Sequence, residues 1–90
     1  MKLSLPKKTT MPLLKLIWDF RSPTAYKTAE HYEIHLKEFM TNQNLPYLKS
    51  GVEEMTPNEH SIAFLVVDQE YMKPVRDALK PHRGVYYQEQ

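Results

Sequence analysis

The segment Leu13 to Phe20, LLKLIWDF, alternates between two faces. Leu14, Leu16, Trp18 and Phe20 fall on one, and Leu13, Lys15, Ile17 and Asp19 on the other. One fully apolar side backed by a mixed one predicts a central strand with a single well-covered face. A helix follows. Ser22 can act as its N-cap, and Pro23 fits the first helical position, where a missing N–H leaves no bond unmade. Ala25, Ala29, Tyr32, Leu36 and Phe39 then recur every three or four residues as one apolar stripe. The change from small to large residues predicts close approach to a sheet at the start of the helix and a wider gap at its end. Asn42 to Asn44 and the Leu45-Pro46 pair stop it.

Tyr47 to Met55 reads as a weaker strand, with Gly51 as a candidate bulge. Thr56-Pro57-Asn58-Glu59 has the composition of a turn. His60 to Val67, HSIAFLVV, is apolar on both faces, as expected of a strand with neighbours on each side. Asp68 can cap a second helix from about Gln69 to Lys80, with Met72, Val75 and Leu79 inward. Pro74 inside that stretch predicts either a separate first turn or a kink. Pro81 and Gly84 end it, and Val85-Tyr86-Tyr87 makes a short last strand.

The predicted order is β-α-β-β-α-β, an α+β architecture. In element order and length, residues 12 to 88 resemble the ferredoxin-like superfamily. The resemblance implies a four-stranded antiparallel sheet, two helices on one face, and strands one and three at the centre. It implies no activity, because this superfold hosts unrelated functions. Ahead of it, Met1 to Thr10 carry Lys2, Lys7 and Lys8 without periodicity. Residues 1–11 are expected to form a flexible basic arm, and residues 12–90 a single domain.

With Leu14, Leu16, Trp18 and Phe20 under the helices, Ala63, Leu65 and Val67 suit the same side. Ile17, Ile62, Phe64 and Val66 are then left on the open face beside His60. Monomers seldom tolerate such an apolar patch. A second copy packed sheet to sheet would cover it, making these four residues a dimer interface, as in proteins resembling α+β barrels. The basic arm folding back would serve as well.

Composition narrows the function classes. A chain of 90 residues allows one domain. Cysteine is absent, which excludes disulfide scaffolds, thiolate metal sites and thiol nucleophiles. The net charge of +1 becomes −2 once the arm is set aside, nine basic against eleven acidic residues. No apolar run approaches the roughly 20 residues of a membrane span, and Pro6, Lys7 and Lys8 interrupt any signal-peptide core. The expectation is a cytoplasmic protein with no membrane partner and no cofactor.

An RNA-recognition motif shares the element order and displays aromatic platforms on its central strands. The stretch from Glu59 to Val66 has the rhythm of its third strand, with Phe64 at one stacking position. Ile62 and Ser61 stand where an aromatic and a glycine are expected, and Lys15 or Ile17 fills the first-strand position. One ring of three and an acidic body disfavour nucleic acid.

Three groups could carry chemistry. Asp19 and Arg21, at the junction of the first strand and helix, could orient a small ligand together with His60, or simply pair with each other or with Lys15. His31 and His35, four apart on a helix, can share a metal ion, with Glu38 one turn on. The ordinary alternative is that water or Glu38 satisfies both imidazoles. Lys73, Arg76, Lys80 and Arg83 form a basic stripe expected to be a solvated helix face. No serine has a nucleophile context. The reading is a self-associating ligand-binding or regulatory module without catalysis. Its rival is a dimeric α+β-barrel enzyme with His60, Asp19, Tyr47 or Tyr86 around a cavity, and an RNA-binding domain is the third possibility.

Overall fold

The computed structural model describes residues 12–88, and the expected basic arm of residues 1–11 lies outside them. Strand β1 (Leu13–Arg21) leads into helix α1 (Ala25–Asn42). Strands β2 (Lys49–Thr56) and β3 (His60–Asp68) follow. A 3-10 turn (Gln69–Tyr71), helix α2 (Met72–Leu79) and strand β4 (Arg83–Tyr87) complete the chain. The sheet is antiparallel in the order β2-β3-β1-β4, with both helices on one face. This is the ferredoxin-like arrangement, with strands one and three central.

β1 and β3 pair along their whole length, from Leu13 opposite Asp68 to Arg21 opposite His60. That register sorts the side chains into the two expected sets. Leu16, Trp18, Ala63, Leu65 and Val67 are buried against Ala29, Leu36 and Met40 of α1 and Val75 of α2. Ile17, Ile62, Phe64 and Val66 form a separate cluster on the other face. They are buried within the single chain, at 7% exposure or less, rather than forming an exposed patch. Leu13 and Tyr87 pack on this cluster, and the Lys15 ammonium lies 4.4 Å from the centre of the Phe64 ring.

Three local expectations are corrected, and one left between two alternatives is resolved. Ser22 makes a turn ahead of α1 instead of capping it: its carbonyl accepts from the Ala25 N–H at 3.0 Å and its hydroxyl from the Thr24 N–H at 3.2 Å. The helix therefore starts two residues beyond Pro23. Gly51 is no bulge, since it pairs directly with Phe64. The irregularity in β2 falls between Glu54 and Thr56. A Cβ at position 51 would sit 2.6 Å from Phe64 Cζ, so glycine here makes room for the ring. Of the two alternatives at Pro74, the separate first turn is the one formed: Gln69–Tyr71 stands apart and the proline lies in the first turn of α2. Asp68 caps that separate turn, its side chain accepting from the Glu70 N–H at 3.0 Å. Finally, the basic stripe is broken: α2 ends at Leu79, Lys80 takes φ 46°, and Arg83 belongs to β4.

Candidate functional site

Asp19 and Arg21 lie on the open face near the end of β1, and His60 begins β3 on the same face. β4 adds the remaining parts. Its Arg83 pairs with Ile17, and the preceding His82 donates its backbone N–H to the Ile17 carbonyl at 2.9 Å. Asp19, His60 and Arg83 from three strands, and His82 just ahead of β4, thereby meet at one corner.

Asp19 is the hub. Arg83 donates from Nε to Oδ2 and from a terminal nitrogen to Oδ1, both at 2.9 Å, in a two-pronged pairing. His60 Nε2 lies 2.8 Å from the same Oδ1. Against a carboxylate, that nitrogen carries the proton, which leaves Nδ1 as the outward acceptor. His82 Nδ1 accepts the Asp19 backbone N–H at 2.8 Å. It therefore has no proton to offer the Asp19 carboxylate 4.0 Å away, and Nε2 is its donor. The Asp19 and His60 side chains are only 15% and 13% exposed.

The Arg83 hydrogen bonds, with His60 adding to them against the opposing effect of partial burial, hold the Asp19 carboxyl far below the usual carboxylate range. Arg83 is pushed up in return. A carboxyl whose acidity is strengthened on folding stabilises the fold above its unfolded pKa of about 3.9 and loses that contribution as the pH falls below it. The wild-type melting temperature is therefore expected to drop more steeply than that of Asp19→Asn between about pH 4 and pH 2. Parallel thermal melts across that window check it, and parallel curves would contradict it.

The sequence brought Asp19 and His60 into one group, and the structure places them in contact. Arg21 lies across the strands from His60 and is exposed. The expected pairing of Asp19 with Arg21 or Lys15 is replaced by Arg83, while Lys15 sits 3.8 Å from Glu53. His82 and Arg83 were missed. Arg83 was counted with the basic stripe of the second helix, although Pro81 already ends that helix before it, and no motif marks His82. Tyr47 lies elsewhere, in a cleft of about 260 Å³ with Leu13, Pro46, Leu48, Asp68 and Tyr71. Tyr86 is 74% exposed on the edge strand.

His31 and His35 are neighbours on α1, with ring centres 5.2 Å apart. With Thr24, Lys27, Thr28 and Tyr32 they line a shallow groove of about 440 Å³. Among the described residues no group of three or more His, Asp or Glu side chains is arranged to hold a metal ion. None of the helices among these residues is long and apolar enough to cross a membrane. Comparison with family models, curated proteins and solved structures finds no match for the chain.

Proposed function

We propose that the protein is a non-catalytic binding module that takes a small anion at the Asp19 corner and works as a pair of identical chains. The observation that carries this reading is the convergence of the Arg83 guanidinium and the His60 and His82 imidazoles on Asp19, with exposed Arg21 two residues along the same strand. Arg83 neutralises Asp19, so Arg21 leaves the corner with an excess positive charge. The free nitrogens, His60 Nδ1 and His82 Nε2, add an acceptor and a donor. A carboxylate or phosphate of a few heavy atoms fits that set of partners.

Titration of the labelled protein with inorganic phosphate, followed by amide NMR, tests the site. Shifts should centre on residues 19–21, 60 and 82–83. Arg21→Gln should weaken binding roughly 2- to 5-fold, the range of an exposed charge pair. Because Arg21 is exposed, the variant should unfold within about 0.5 kcal/mol of the wild type. Shifts scattered over the whole surface, or an unaffected Arg21→Gln, would remove the proposal.

Pairing is favoured by the edge strand β4, where Val85 is 45% and Tyr86 74% exposed. Light scattering at micromolar concentration reads it directly, since a 10.7 kDa species would mean a monomer. The RNA reading loses support from Phe64, whose ring is 7% exposed and lies over Gly51 rather than offering a face for stacking. The enzyme reading keeps the His60–Asp19 contact, a recognised way to orient an imidazole base. Neither Tyr47 nor Tyr86 is placed to join it.

A further inference from the structure

We infer that His31 and His35 form a two-histidine clamp for a divalent transition-metal ion of the zinc, nickel or copper class. The site lies on the flank of α1 and is independent of the Asp19 corner.

The helix supplies the spacing, since residues four apart stand one above the other on the same face. The rings realise it: their centres are 5.2 Å apart and their planes meet at 77°. An imidazole nitrogen binds zinc at about 2.0–2.1 Å, which puts each ring centre about 3.2 Å from the ion. Two centres separated by 5.2 Å subtend about 109° at such an ion, the angle between tetrahedral ligands. Both residues are exposed, so turning each ring to bring a nitrogen onto one ion meets no packed neighbour.

Glu38 stands on the Nδ1 side of His35, its Oε1 3.4 Å away, so that a hydrogen bond closed between them would hold the proton on Nδ1 and leave Nε2 for the metal. Metal-bound histidines commonly have such a carboxylate behind them. The other two coordination positions fall to water, because the groove is otherwise lined by Thr24, Thr28, Tyr32 and Lys27. Lys27, one turn before His31, places a like charge at the groove and sets a limit on affinity. Neutral imidazoles without thiolates suit zinc, nickel and copper rather than calcium or magnesium.

Calorimetric titration of the untagged full chain with nickel chloride tests the clamp. One ion should bind per chain. His31→Ala and His35→Ala should each lower the affinity at least 10-fold, with circular dichroism unchanged because both side chains are exposed. Lys27→Gln should raise the affinity about 2- to 5-fold by removing a like charge. Substoichiometric copper(II) should broaden amide signals of residues 27–38 first, and those of 60 and 82 later. Equal nickel affinity in His35→Ala, or copper broadening that starts at His60 or His82, would overturn the inference.

Discussion

Replacing Trp18 with alanine is expected to remove about 3–5 kcal/mol of folding stability. Only 2% of this side chain is exposed, and it lies within the core between sheet and helices. Its ring centre is 5.6 Å from that of Tyr32, and Tyr32 is in turn 5.5 Å from Phe20. Its indole N–H donates to the Leu79 carbonyl at 2.8 Å, where α2 ends. A single side chain thus ties the central strand to both helices. In a domain of this size the loss corresponds to roughly 12 °C or more in melting temperature. Urea unfolding followed by circular dichroism measures it, since the variant lacks the sole tryptophan. Trp18→Phe keeps most of the volume and leaves the Leu79 carbonyl only the longer 3.5 Å bond from the Tyr32 hydroxyl, and should cost about 1–3 kcal/mol. A loss below about 1 kcal/mol for alanine would contradict the tie.

Phe64→Glu should unfold the chain. The ring is enclosed by Gly51 beneath it, Lys15 above it and the Ile17, Ile62 and Val66 cluster. A carboxylate there loses its hydration, and the whole fold has only about 5–15 kcal/mol to oppose that cost. Circular dichroism with size-exclusion chromatography reads the outcome. A folded monomer would instead place the residue in a contact between two copies, where truncating a central aromatic costs about 2 kcal/mol or more. A folded variant that still pairs would put Phe64 in neither place.

The two sheet faces were legible because β1 and β3 alternate cleanly, and register then follows from side-chain period alone. Leu16, Trp18, Leu65 and Val67 went under the helices, and Ile17, Ile62, Phe64 and Val66 to the other side, as the pattern required. Whether that second set is exposed was not legible. Alternation gives the direction of a side chain, whereas its burial depends on long neighbours such as Lys15 and Tyr87 lying over it. The Asp19 corner was half legible for a related reason. Asp19 and Arg83 are 64 residues apart in the chain, and only the pairing of β4 with β1 brings them within 2.9 Å. His31 and His35 were readable because their proximity is local to one helix.

The glycine beneath the Phe64 ring bears on how the edge strand finds its place. β2 is largely exposed, so hydrophobic patterning gives it a weak guide to alignment. Its residues on the ring's side are Lys49, Gly51 and Glu53. Sliding the strand by two positions would keep every side chain on its proper face yet bring Lys49 or Glu53 under the ring. Either residue carries the Cβ for which there is no space. Gly51 therefore works as an indexing notch, admitting one alignment of β2 and rejecting the two nearest alternatives. A side chain at position 51 would leave this strand able to mispair, including with the strands of other molecules.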